Sequence, residues 1–486
     1  MHIITAIISI AITVNTIAAL ITVFWRPRSI TSTLAWLMAL VFVPVIGFIL
    51  YLFLGRGLDR ETKRAMKEDY SGDLKMIRRL AEKDSIRQSR RNERKFTASE
   101  WALIRYFDHL EKSPLTNDNQ LSIFTDGTEK FEALFKDIRA AKQHVHVEYY
   151  SFFNDHIGNQ FLHLLEEKAA QGLEVRLLYD PWGSPGATKK WFSKLERLGG
   201  KVEPFITGRG LIYKTRLNYH LHRKIVVVDG LISWTGGFNV GDQYLGNSKK
   251  FGPWRDTHIR IVGPATFSLQ GVFFRDWNAS VKNPADEVHA LPKYFTLPDK
   301  SARGNVLMQI VQDGPDNSAD IIKGSFLRMI MSAKSRVWIQ TPYLIPDDAI
   351  IEAFLNAVRI GVDCRIMIPS MPDHPFIYRA TQYYANYLTK KGIKIYIYEP
   401  GFLHAKMMLV DRQFCTVGST NQDIRSYSLN FECNAFIYDA PVVDQFASIF
   451  EKDQKVCRLL TEEMIKEQSH WLKFKQNFSR LLSPVL

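Results

Sequence analysis

The chain is 486 residues long, 46% hydrophobic and 23% charged, with 63 Lys plus Arg against 50 Asp plus Glu for a net charge of +13. That composition excludes a wholly disordered chain, a collagen-like repeat and a small disulfide scaffold, and the length accommodates about three structural units. The basic excess suits a polyanionic partner: nucleic acid, an anionic membrane surface or a phosphate-bearing substrate.

Two uncharged apolar runs open the chain, Ile3 to Trp25 and Thr33 to Leu54, separated by the hinge Arg26-Pro27-Arg28-Ser29. Each exceeds the roughly 20 residues a helix needs to cross a bilayer. Trp25, Trp36 and Tyr51 lie near the run ends, where amphipathic rings prefer the membrane interface. A cleaved signal peptide would have a basic start and a shorter apolar run, and a buried core hairpin would need polar faces. The pattern predicts a transmembrane hairpin over 1–55. Arg56, Arg60, Lys63, Arg64, Lys67 and Lys75 outweigh the two hinge arginines, which places both ends of the hairpin in the cytoplasm. Residues 56–95 carry 14 Lys/Arg and 8 Asp/Glu, a local net of +6 from 14 − 8. They form the main part of a basic juxtamembrane linker, 56–110, drawn to anionic headgroups.

The remaining chain reads as a duplication. Val145 to Tyr150 is strand-like, Phe161, Leu164 and Leu165 mark a helix, Gly172 ends it, and Val175 to Tyr179 is the next strand. The order recurs in Val337 to Gln340, then Phe354, Leu355 and Val358, then Gly361, then Cys364 to Ile368. Strands alternating with helices predict βαβ units in a largely parallel sheet. Pro284, Pro292 and Pro298 punctuate the join, so the first half spans 111–283, a connector 284–304, and the second half 305–486 with a helical C-terminal segment.

Each half then presents the same chemistry. His222-Arg223-Lys224, four apolar residues and Asp229 are followed by Gly236-Gly237-Phe238-Asn239; His404-Ala405-Lys406, four apolar residues and Asp411 are followed by Gly418-Ser419-Thr420-Asn421. On a strand, the His and Lys of each HxK project to one side. Packed together, the two sets would give one pocket of two imidazoles, two ammonium groups (Lys224, Lys406) and two amides (Asn239, Asn421). Such a pocket suits a phosphate diester, because cations and amides hold its nonbridging oxygens and stabilise transition-state charge. Two imidazoles suit a double displacement, one as nucleophile and one as acid and base. Asp256 and Glu432, each following the histidine of its own copy at a similar distance, are the carboxylates expected to orient them. Asp229 and Asp411 belong to the catalytic motif, with a weaker role because they end the apolar strands.

No metal is expected, since a Lys two residues from each His cannot ligate a cation. His144, His146 and His163 lack such company and read as structural or exposed. Cys364, Cys415, Cys433 and Cys457 form no CxxC and read as thiols in a reducing compartment. Neither a GxxxxGK[ST] loop nor a dinucleotide fingerprint is present, so no cofactor is expected.

The duplicated HKD motif resembles the phospholipase D superfamily, and the chain is most similar there to bacterial cardiolipin synthases. Leu34-Ala35-Trp36, Leu50 to Arg56, Gly236 to Asp242, Trp254 to His258, Thr341-Pro342-Tyr343 and Arg480 to Pro484 carry that similarity. The resemblance implies two pseudo-twofold related α/β/α halves with mixed, largely parallel sheets behind the hairpin. It implies transfer of a phosphatidyl group between two phosphatidylglycerol molecules, giving cardiolipin and glycerol through a phosphatidyl-histidine without metal, at the cytoplasmic side of the bacterial inner membrane. By analogy His222 would be the nucleophile and His404 the acid and base; the sequence alone does not order them. The first copy carries about ten extra residues before its His, within Phe205 to Tyr219, where Arg209, Lys214 and Arg216 interleave with Leu211 and Tyr213. That insert reads as a headgroup-facing loop. A phospholipase D or another phosphatidyltransferase would use the same pocket with a different acceptor. A nuclease of the superfamily fits the charge but not the hairpin, so nucleic acid is not the expected partner, and a scaffold with a dead site would not keep two intact His-Lys pairs.

Overall fold

The computed structural model describes residues 96–110, 113–206, 218–281, 291–299, 302–317 and 319–481, with isolated positions between them and parts of 9–58. The basic stretch 56–95, Leu58 excepted, and the cations of the insert, Arg209, Lys214 and Arg216, lie outside the described residues.

At the centre, strands Thr116–Phe124 and Val306–Asp313 lie side by side and antiparallel. Outward from this pair the two halves repeat in mirror order within one fifteen-stranded sheet. On one side come His258–Val262, Ile232–Gly236, Lys224–Val228, His144–Tyr149, Glu174–Tyr179 and Lys201–Pro204. On the other come Glu432–Ile437, Phe414–Gly418, Met407–Val410, Arg336–Gln340, Asp363–Pro369 and Lys394–Tyr398, with Cys457–Leu459 added at the edge. The expected duplication is therefore a twofold arrangement of one sheet, not of two.

The expectation of a largely parallel sheet is corrected. Only the three outer repeated strands of each half run parallel; the HxK strands and those inward of them are antiparallel. Between each HxK strand and the next strand inward, the reason is loop length. Asp229–Leu231 and Asp411–Gln413 are too short for a crossover helix, so the strands they join can only form hairpins.

Strand alternation sets the layers. Val226 and Val228, with Val145, Val147 and Tyr149, pack under helices Gly127–Ala140, His156–Ala170 and Lys189–Arg197. Ile225 and Val227 face the other way, into a core shared by both halves. It gathers Leu269 of helix Ala265–Ser280, Met308, Leu409 and Phe446 of helix Ala440–Gln454. Because one core underlies both halves, they are held as one body rather than hinged.

Two segments depart from expectation. Ala98–Leu110, placed in the linker above, is a helix whose Leu103, Ile104 and Phe107 enter the second half's core beside Phe326 and Phe436. In the amino-terminal region, helices Ile30–Phe42 and Pro44–Leu50 are divided at Val43, where Pro44 begins the second. Among the described residues no helix is long and apolar enough to cross a membrane. Val23 of the first apolar run nonetheless packs with Leu40 and Tyr51 of the second, while Leu34, Met38, Phe42 and Ile46 stay exposed.

Candidate active site

The two HxK segments meet across the join of the halves. Leading into strand Lys224–Val228, Leu221 pairs with Phe431 of the other half, and the His222 amide donates to the Phe431 carbonyl at 2.9 Å. Leading into strand Met407–Val410, Phe402–Leu403 pairs in parallel with Trp254–Arg255, and the His404 amide donates to the Arg255 carbonyl at 2.7 Å. The residues next in line are Glu432 and Asp256. Backbone pairing therefore sets each carboxylate against the histidine of the opposite half.

The expected His–carboxylate partners are present, but crossed. His222 Nδ1 lies 2.9 and 3.0 Å from the two oxygens of Glu432, and His404 Nδ1 lies 2.6 Å from Asp256 Oδ2. An ionised carboxylate at Nδ1 requires the proton there, which leaves each Nε2 with a free lone pair. Burial is the largest influence on both imidazoles and holds each down to about 4, so they are neutral in the free site. Burial pushes the carboxyls up, but neighbouring cations and imidazoles outweigh it: Lys406 and His404 hold Asp256 below the ordinary range, and His222 and Lys224 do so for Glu432.

Both histidines line one cavity of about 540 Å³. Asn239 and Asn421 line it too. Asn239 Oδ1 accepts from the Ser151 amide at 3.2 Å and its Nδ2 donates to the Tyr244 hydroxyl at 3.0 Å, whereas Asn421 Oδ1 has no hydrogen-bond partner among the described residues. Lys224 and Lys406 are buried behind the imidazoles, and each ammonium donates to the carbonyl of its own histidine, His222 or His404. Burial lowers Lys224 to about 7 and Lys406 to about 8, so an arriving anion would meet lysines close to their titration points. Glycine permits the close packing: a Cβ on Gly237 would come within 1.9 Å of the Asp256 carboxylate. At the equivalent place in the second half Ser419 uses its hydroxyl instead, donating to Glu432.

Asp229 and Asp411, counted above with the catalytic set, sit at the far ends of their strands from the cavity. Asp229 accepts from the amides of Lys142, Gln143 and His144 at 2.8–2.9 Å, and Asp411 from those of Lys334, Ser335 and Arg336 at 2.8–2.9 Å. Both have left-handed backbones, φ 54° and 52°, a conformation Asp tolerates in a tight turn. They hold the start of the neighbouring strand. His144 and His146 are buried beside Tyr294, and His163 is exposed.

Sequence reasoning missed several lining groups, among them Tyr150, Trp182, Gln243, Asp373 and Arg425. Gln243 and Arg425 carried a signal: each lies four residues after the Asn of its copy. Arg425 donates to the side chain and carbonyl of Asn218 at 2.9 and 3.0 Å and is half-buried at the wall.

Comparison with known proteins finds relatives of both halves. The family model described as "Cardiolipin synthase, PLD-like domain" matches residues 134–250 and 326–454, one segment in each half, and a "Phospholipase_D-nuclease N-terminal" model matches 14–56. A cardiolipin synthase of Listeria welshimeri is 43% identical over 476 residues, covering 97% of both chains. One of Staphylococcus aureus is 42% identical over 483 residues, covering 98% of this chain and 96% of its own. A crystal structure of phosphatidylserine synthase from Haemophilus influenzae shares the fold, with TM-score 0.60 and 14% identity over 79% of this chain and 100% of its own. With the histidines of two HKD copies lining one cavity and relatives matched along nearly their whole length, the chain belongs to the cardiolipin synthase family of phospholipase D-like proteins.

Proposed function

We propose that the cavity transfers a phosphatidyl group from one phosphatidylglycerol to a second, giving cardiolipin and glycerol. The observation that carries this reading is the crossed pair of imidazole–carboxylate contacts, both facing one cavity. Binding of the anionic diester lets His404 take up a proton at Nε2 from solvent. In the first step His222 Nε2 then attacks phosphorus, and the bond to the glycerol oxygen breaks as His404 gives that oxygen the proton. In the second step His404 takes a proton from a hydroxyl of the incoming phosphatidylglycerol. That oxygen attacks phosphorus and the His222–phosphorus bond breaks. No net bond energy is required, because one phosphodiester replaces another.

The surroundings support this order. The Lys406 ammonium lies 2.7 Å from His404 Nδ1, which makes its imidazolium the stronger acid, while His222 has both Glu432 oxygens at Nδ1 and is the better nucleophile. The anionic diester brings negative charge that raises the proton affinity of His404 and of both lysines. Lys224 and Lys406, with Asn239 and Asn421, would then offset the charge on the nonbridging oxygens.

The reading includes membrane attachment. The uncharged runs Ile3 to Trp25 and Thr33 to Leu54 are each long enough to span, and the exposed apolar positions Met38 and Phe42 suit contact with acyl chains. Positive charge after Leu54 supports a hairpin with both ends in the cytoplasm and the catalytic halves on that side of the bacterial membrane. The test is purified chain with phosphatidylglycerol vesicles and no added nucleotide. Cardiolipin with stoichiometric glycerol supports transfer; phosphatidic acid alone would assign hydrolysis, and cleavage of added DNA would assign a nuclease.

A further inference from the structure

Helix His470–Leu481 is folded inside out for a protein surrounded by water. Its buried positions are polar, Gln476 and Ser479, each 2% exposed. They face helix Pro375–Thr389, where Asn386 donates to Gln468 at 2.9 Å and to Gln476 at 3.1 Å, and Gln476 donates to Gln468 at 3.0 Å. Apart from the half-buried Leu472, the apolar positions point away from the body: Trp471 is 65% exposed, Phe474 57%, Phe478 48% and Leu481 73%. Their three rings stack into a ridge, with centroids 5.4 Å apart from Trp471 to Phe474 and 6.4 Å from Phe474 to Phe478. In water this arrangement forgoes apolar burial that simple rotation of the helix would recover. Hydrogen bonds from the polar face prevent that rotation, so the ridge is held outward.

We propose that this ridge is a docking surface for an anionic lipid bilayer, with Trp471, Phe474 and Phe478 lying at the headgroup and acyl boundary. Three observations select lipid over a protein partner. Residues 468–486 contain Lys473, Lys475 and Arg480 and no Asp or Glu, so the charge beside the ridge has the sign that anionic headgroups attract. The cations are placed against rings: Lys475 lies 5.7 Å from the Trp471 centroid and Arg480 5.0 Å from Tyr383. The helix it rests on, Pro375–Thr389, begins at the cavity, which Asp373, His374 and Ile377 line, with Phe376 exposed between them. The docked helix would thus hold the cavity at a fixed relation to the surface that supplies its lipid. Only that consequence rests on the phosphatidyl-transfer reading; the surface itself does not.

The test uses the full chain in vesicles. Phe474→Cys is labelled with an environment-sensitive fluorophore, with Ser448→Cys, exposed on helix Ala440–Gln454, as the control. The label at 474 should shift to the blue and be quenched by lipids brominated near the top of the acyl chain. The effect should be stronger in phosphatidylglycerol than in phosphatidylcholine vesicles, while the label at 448 changes little. Lys473→Gln combined with Lys475→Gln should remove the headgroup preference. An unshifted label at 474, or excimer formation between pyrene-labelled copies that places a second chain on the ridge, overturns the proposal. The same vesicles are assayed for cardiolipin. Turnover without quenching refutes the docking surface alone, and quenching without turnover refutes the catalytic reading alone.

Discussion

At Nδ1 the two histidines differ by one contact. His404 has an ammonium, Lys406, beside the nitrogen that Asp256 holds; His222 has only the two oxygens of Glu432. A donor of protons matters most when the leaving oxygen is strongly basic. Replacing the glycerol of the donor lipid with p-nitrophenol removes that need. His404→Ala should then lose turnover on phosphatidylglycerol by about 10²–10⁴ yet release a burst of p-nitrophenol. His222→Ala should show no burst at all. The reverse pattern would exchange the roles. The lysines set a limit in pH. With Lys224 lowered to about 7 and Lys406 to about 8, both protonated forms are lost as pH rises through that window, so kcat/KM should fall on its alkaline side there. Asp411 behaves differently: burial raises its pKa, but three backbone amides outweigh this and hold the carboxyl low. A lowered folded-state pKa contributes stability above the unfolded carboxylate range and loses it as pH falls through the folded value. Asp411→Asn should cost about 2 kcal/mol in thermal unfolding at neutral pH, converge with the parent chain on acidification, and leave the p-nitrophenol burst in place. The two His-Lys pairs were legible from their spacing alone. The duty of Asp411 was not, because the motif gives its distance along the chain but not the direction in which the strand carries it.

Among the elements, the short ribbons Leu221 with Phe431 and Phe402–Leu403 with Trp254–Arg255 do the positioning. They are too brief to show any alternating pattern, and their partners are distant in sequence, so nothing in the residues announced them. Arg223, the middle residue of the first HxK, braces the same place. It pairs with Asp276 and donates to the carbonyls of Glu432 at 3.1 Å and Asp313 at 3.2 Å. The guanidinium is fully buried, so its removal would leave Asp276 as an uncompensated charge. Arg223→Ala should destabilise the chain by about 3–5 kcal/mol, read as a large fall in thermal midpoint. The second HxK has Ala405 at this position, and Ala405→Gly should be far milder. The duplicated strand–helix order was readable because helix and strand periods differ. Strand direction was misread because the rule for parallel pairs was extended past the helices to segments joined by short turns.

Across the whole molecule, the mirror order of the sheet places the join of the halves at its centre, and the carboxylate of one half serves the imidazole of the other. The repeat could reveal that each half owns a histidine and a carboxylate, since each copy is a complete set. It could not reveal the exchange, because pairing within and between copies leaves the same sequence pattern. The crossing makes a prediction that within-copy pairing would reverse. On the p-nitrophenyl lipid, where only the nucleophile is needed for the burst, Glu432→Gln should slow the burst by about 10²–10⁴, as expected when imidazole activation fails. Asp256→Asn, although it lies in the same half as His222, should leave the burst nearly intact and instead slow turnover on phosphatidylglycerol, where His404 must move protons. Pairing within copies would assign the burst defect to Asp256→Asn. Rapid-mixing measurement of p-nitrophenol in the two variants separates the alternatives, and equal defects in both would remove the division of labour between the histidines.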